Sequence, residues 1–226
     1  MRDKSCKDGV GEASLDWSLV PYRRPGLPLA KAIGATMKSG ANVLVLANHG
    51  LVVAGQSVSE VAERLDRVCR AFAAKPRNAP RADLTKLEKA VEGSAYRLPT
   101  SARAHAVALD EASRSIVRGG SLYPDHVIFL GAGVVEAREG ALGAAFDSEG
   151  GRDGQAPMLL LPRLGVVLHR STNKSADAMA QCLADVAARI EPGAVIQRLS
   201  SAQEYELSHW EAEKYRQTLG VRSAAP

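Results

Sequence analysis

The sequence predicts an α/β fold in which a layered sheet is covered by helices. Two unbroken apolar runs, Val43-Leu44-Val45-Leu46-Ala47 and Leu51-Val52-Val53-Ala54, are separated only by Asn48-His49-Gly50, the pattern of a hairpin buried on both faces. A segment with apolar residues at helical spacing follows directly. The same order of strand, turn, strand and helix returns after residue 157, which points to a diverged internal duplication.

From the start, the stretch to about Trp17 is polar and without sustained period, so it reads as a loose terminus that enters a domain partway. The prolines of Leu19-Val20-Pro21-Tyr22-Arg23-Arg24-Pro25-Gly26 fix a loop. A helix is predicted from Pro28 to Lys38, with Leu29, Ile33 and Met37 on one face and Gly40 as its stop. After the hairpin, Ser57-x-x-Glu60 is a capping pattern, and Val58, Val61, Ala62, Leu65, Val68, Cys69 and Phe72 continue at helical spacing.

Lys75 to Asp83 is rich in Pro, Arg and Ala and breaks the pattern, so the chain is divided there into residues 1–78 and 79–226. Helices are expected near Leu84 to Val91 and Ser101 to Val117, then a strand from Val127 to Leu130. A Gly-rich loop spans Gly131 to Gln155, with room for a short strand of its own. Met158 to Leu161 and Gly165 to Leu168 form the second hairpin, and Met179, Leu183, Val186 and Ile190 mark the helix behind it. Aligning Gly50 with Gly165 places Leu164 where His49 stands.

The chain has 226 residues, 46% hydrophobic and 24% charged, which suits one or two folded lobes. The net charge is +4, but the Lys and Arg residues are scattered among acids and lack interleaved stacking aromatics, which argues against a nucleic-acid partner. No apolar run approaches membrane-spanning length. Cys6, Cys69 and Cys182 are widely spaced and odd in number, so neither a disulfide framework nor a cysteine zinc site is expected, and a reducing cytoplasm is the natural setting.

From its surroundings alone, His49, at the mouth of the first hairpin, reads first as a hydrogen-bonded structural histidine, with a metal ligand as the alternative, since the flanking glycine lets the backbone turn and the imidazole project. Residues 46–54 offer the ion no second His, Cys or carboxylate. Arg23 and Arg24 read first as a solvated basic loop, with a substrate clamp through charge-assisted hydrogen bonds to a phosphate or carboxylate as the alternative, and Tyr22 as a packing residue that could also orient a substrate hydroxyl. Gly131-Ala132-Gly133 lacks the third glycine of a dinucleotide loop, since Glu136 stands in its place, and is read as a turn. His105, His126, opening a strand, and His169, ending one, are read as structural, and His209 as helix surface.

Val43 to Gly55, with Asn48-His49-Gly50-Leu51 at its centre and the Ser57-capped helix after it, resembles the signature of class II aldolases and adducins. Val20-Pro21-Tyr22-x-x-Pro25-Gly26 and Leu29-Ala30 fit the sugar-aldolase branch associated with rhamnose utilisation, as does the ending Trp210-Glu211-x-Glu213-x-Tyr215-Arg216. The resemblance implies a three-layer α/β/α sheet followed by a diverged second lobe. It also implies a carbon–carbon lyase acting on a sugar phosphate or related hydroxylated substrate through zinc or another divalent metal, in a homo-oligomer. In that family three histidines hold the metal and an upstream Glu is the acid/base, and His49 matches the last ligand. No His precedes His49, and the acids before it are Asp3, Asp8, Glu12 and Asp16. The resemblance therefore implies an N-terminally truncated domain with an incomplete site. The alternative is an adducin-like assembly module without catalysis.

Overall fold

The computed structural model describes residues 15–37, 40–138, 140, 143 and 155–210. The chain divides into two compact units, Met1–Lys75 and Pro76–Pro226.

In the first unit, β1 (Trp17–Val20) pairs in parallel with β2 (Val43–Leu46), and β3 (Gly50–Val53) pairs antiparallel with β2. Parallel neighbours need a crossover, and α1 (Leu27–Met37) lies in it. Alternation along β2 separates two small cores: Leu44 and Leu46 join Val20 and Leu29, whereas Val43 joins Leu15 and Val68. α2 (Val58–Ala71) starts where the capping pattern predicts, with Ser57 accepting a hydrogen bond from the Glu60 amide at 3.2 Å. The Glu60 carboxylate reaches one residue past the cap and accepts from the Gln56 amide at 2.7 Å. Two expectations change here. β1 forms where the entry to a loop was expected, and β3 is not buried on both faces: it is the edge of the sheet, and Leu51 is 41% exposed.

The second unit holds a four-stranded sheet in the order β4-β7-β6-β5, built from β4 (Tyr96–Arg97), β5 (Val135–Glu136), β6 (Met158–Leu161) and β7 (Gly165–His169). β5 and β6 are parallel, while β6 with β7 and β7 with β4 are antiparallel. Both faces carry core. Met158, Leu160, Val166 and Leu168 pack with Val107, Val117 and Leu183 on one side. Leu159, Leu161 and Val167 pack with Leu87, Val91 and Tyr96 on the other. The Tyr96 hydroxyl, inside that second cluster, donates to the Ala156 carbonyl at 2.9 Å, which removes the cost of burying it.

α3 (Leu84–Val91) lies where expected, capped by Asp83. The single helix expected over Ser101–Val117 is broken into a 3-10 turn (Ala102–His105), α4 (Ala106–Leu109) and α5 (Glu111–Arg118). Asp110 leaves helical geometry at ψ 114 and its carboxylate accepts from the Ser113 amide at 3.1 Å, capping the second piece. The strand expected over Val127–Leu130 is part of a helix, α6 (Pro124–Leu130). A short apolar run buried all round looks alike in either state, and here Pro124 starts a helix and Gly131, at φ 94, ends it. His126 therefore lies within a helix and opens no strand. Gly131-Ala132-Gly133 follows a helix C-terminus, the wrong end for cradling a phosphate. Of the Gly-rich loop, β5 is described, while most of 139–154 lies outside the described residues.

α7 (Lys174–Ala187) buries Ala176, Ala180, Leu183, Ala184 and Ala187, so its inner face is largely alanine and Met179 and Val186 pack at its margin. Residues 76–83 form a strap without regular secondary structure, pinned by Arg77. Its guanidinium donates to Asp110 at 2.9 Å, to the Ser113 hydroxyl at 2.9 Å, to the Ala187 carbonyl at 2.8 Å and to the Ile190 carbonyl. α8 (Ser201–Ser208) carries a capping box between Ser200 and Gln203.

Candidate functional site

The turn between β2 and β3 is set by backbone geometry. Asn48 takes a left-handed conformation at φ 58, Gly50 sits at φ 155, and the His49 amide donates to the Leu46 carbonyl at 3.0 Å. His49 is exposed at the tip. A side-chain carbon added at Gly50 would meet nothing within 4 Å, so the mouth of this turn is open.

The parallel pairing brings a second segment to the same edge. Val20 ends β1 opposite Leu46, and the Ala47 amide donates to the Val20 carbonyl at 3.0 Å. Pro21-Tyr22-Arg23-Arg24 and Asn48-His49 thus both leave the carboxyl end of the parallel pair, the edge at which open α/β sheets place their ligands. Tyr22 is buried, Arg24 is half-buried, and Arg23 is exposed with its guanidinium donating to the Tyr22 carbonyl at 2.9 Å. Among the described residues, no group of three His, Cys, Asp or Glu side chains is placed to hold a metal ion. At this edge the described residues supply one imidazole and by themselves do not fit a closed zinc site.

The turn between β6 and β7 is the same structure with different surroundings. Arg163 stands at φ 60 and Gly165 at φ 156, and the Leu164 amide donates to the Leu161 carbonyl at 3.1 Å. The strands around it repeat the first unit, since β5-β6-β7 pair parallel and then antiparallel as β1-β2-β3 do. Leu164, in the place of His49, packs on the cluster around Leu87 and Tyr96. A side-chain carbon at Gly165 would lie 2.8 Å from His105 Nδ1 and 2.9 Å from a Leu87 methyl. His105, 1% exposed, accepts from the Val166 amide at 3.2 Å through Nδ1, and burial holds its pKa below the usual imidazole value. This turn is core.

The other histidines also have local duties. His126 is fully buried and accepts from the Leu122 amide at 3.4 Å through Nδ1, which leaves Nε2 to donate to the Gly133 carbonyl at 3.0 Å. Burial pushes its pKa down to about 4, against a small opposing effect of the Gly133 bond. His169 ends β7 and lies 2.6 Å from the Ser171 hydroxyl. His209 stacks on Tyr205 at 3.9 Å, just past α8. Sequence reasoning missed Arg77, because an arginine among prolines reads as solvated until the carbonyls it meets, more than 100 residues away, are in place. Among the described residues, no helix is long and apolar enough to cross a membrane.

No curated protein and no solved structure gives a significant match to this chain. Residues 5–74, the stretch that contains His49 and its entire hairpin, match the model of the class II aldolase and adducin N-terminal domain.

Proposed function

We propose that the chain is a class II aldolase-like protein, related to carbon–carbon lyases that act on a sugar phosphate or similar hydroxylated substrate through a divalent metal. The observation that carries this reading is the exposed His49 on an open turn at the carboxyl edge of β1 and β2, inside the matched stretch. In this reading, the three strands belong to a three-layer class II aldolase sheet of the sugar-aldolase branch associated with rhamnose utilisation. The lobe after the strap is its diverged repeat, and the shared turn geometry of Asn48 and Arg163 supports that descent. The sequence boundary proposed between the two lobes lies near residue 78, within the strap.

Arg23 and Arg24 would clamp the anionic group of the substrate, and Tyr22 would shape the wall behind it. A zinc ion or other divalent metal would polarise the substrate carbonyl when bound. The described residues alone do not enclose such an ion, so no bond-breaking step follows from them. The remaining ligands would come from side chains outside the described residues or from a second copy of the chain in a homo-oligomer. Cys69 and Cys182 are free thiols, in keeping with a reducing cytoplasm.

The direct test is retro-aldol cleavage of ketose 1-phosphates in the presence of zinc, comparing the full chain with His49→Ala. Cleavage lost in the variant supports the reading, and equal rates in both refute it. A second reading, an adducin-like assembly module, is favoured by the absence of a metal-ligand group among the described residues. It predicts self-association by sedimentation that is unchanged in a chelator and in His49→Ala.

A further inference from the structure

The second unit contains a cavity of about 610 Å³ beneath the strap, lined by strap residues from Pro76 to Leu84 and by the 3-10 turn, α4 and the end of α7. That size falls within the range of small-molecule sites. Four alanines line it in two pairs at four-residue spacing, Ala102 in the 3-10 turn with Ala106 at the start of α4, and Ala184 in α7 with Ala188 at its C-cap. The strap crosses above them because Arg77 and the Arg77 amide, bonded to the Ala188 carbonyl at 2.8 Å, hold it there.

The charges around this cavity do not cancel. Three arginines, Arg77, Arg81 and Arg103, line it with one acid, Asp185. Arg77 is committed to Asp110, Ser113 and backbone carbonyls. Asp185 is committed as well, accepting from Arg103 at 2.5 Å and from Gln181 at 3.5 Å. Arg103 uses one of its nitrogens in that pair, and its side chain is 65% exposed. Arg81 makes no hydrogen bond or ion pair among the described residues. A guanidinium carries five N–H donors in a fork that matches a carboxylate or phosphate. The cavity therefore offers an apolar alanine floor, a satisfied acid and spare donors from two arginines.

We infer that this cavity binds a small organic acid, its carboxylate held by Arg81 beside Arg103 and its hydrocarbon body lying on the alanine floor. The site is independent of the His49 turn and of the aldolase reading. A cation finds no free carboxylate there, and a bare inorganic anion leaves the apolar floor unused.

The test is calorimetric titration of the full chain with hexanoate, with inorganic phosphate and with hexylammonium as the charge-reversed control. Hexanoate is expected to bind at least tenfold more tightly than phosphate, and hexylammonium not to bind. Arg81→Gln, at an exposed position without a partner among the described residues, should weaken hexanoate at least tenfold, with Arg81→Lys between the two. Ala106→Leu, which fills the floor from the other side, should abolish binding. Equal hexanoate affinity in the wild-type chain and Arg81→Gln would overturn the inference. So would hexylammonium binding as well as hexanoate, or phosphate binding as tightly as hexanoate.

Discussion

His49 and Leu164 occupy the same place in two hairpins of the same register, one residue after a left-handed residue and one before a glycine near φ 155. One turn opens to solvent and the other is packed against His105 and Leu87. The backbone requirement is common to both, so the difference between an exposed imidazole and a half-buried leucine arises from what each lobe folds against its turn.

Exchanging the two side chains should have unequal effects. His49→Ala removes an exposed side chain and should change stability by less than about 0.5 kcal/mol. Leu164→His puts an imidazole against an apolar cluster and should cost about 1–3 kcal/mol. Urea unfolding of both variants checks this.

The two turn glycines should separate in the same way. Gly50→Ala meets only backbone strain, about 1–2 kcal/mol, because space is free around it. Gly165→Ala meets the same strain and also forces apart His105 and Leu87, adding about 1–3 kcal/mol. Thermal unfolding of the two variants should show the larger loss at residue 165.

Arg77→Met should cost about 2–4 kcal/mol, since it leaves the partly buried Asp110 without its ion pair and frees the strap from two carbonyls. Limited proteolysis should then cut within residues 76–83 faster than in the wild-type chain.

Stability should fall in acid in two stages. His126 is held neutral by burial with a folded pKa of about 4, below the usual imidazole value, so the unfolded chain takes up a proton first. Its contribution is present above about pH 6.5 and declines by up to about 1.4 kcal/mol per pH unit as pH drops from about 6.5 to about 4. Asp177 titrates lower. Burial raises its pKa, but hydrogen bonds from Arg97 and Thr100 outweigh that, so the folded pKa lies below the ordinary carboxylate value. Its stabilisation is complete above about pH 4 and is lost as pH falls through the folded pKa. Urea midpoints measured against pH should show a shallower slope for His126→Asn between pH 6.5 and 4, and a shallower slope for Asp177→Asn below pH 4.

Both hairpins, the Ser57 cap and the position of His49 at the mouth of its turn were legible in the sequence, because each rests on a local signal of period, cap or glycine. Helix 124–130 was misread although Pro124 and Gly131 bracket it, since the apolar run between them outweighed the punctuation. β1 was missed because four residues beside Pro21 carry no period of their own and become a strand only when β2 lies alongside. The alanine-floored cavity had no sequence signal, as residues 102–106 and 184–188 meet only in the folded unit.

Zinc content by elemental analysis, after exposure to the ion and exhaustive removal of excess, tests the central reading most directly when the wild-type chain is set beside His49→Ala and His209→Ala. The account predicts close to one zinc per chain in the wild-type protein and in His209→Ala, and none in His49→Ala. Zinc absent from the wild-type chain, or retained equally in His49→Ala, would contradict it.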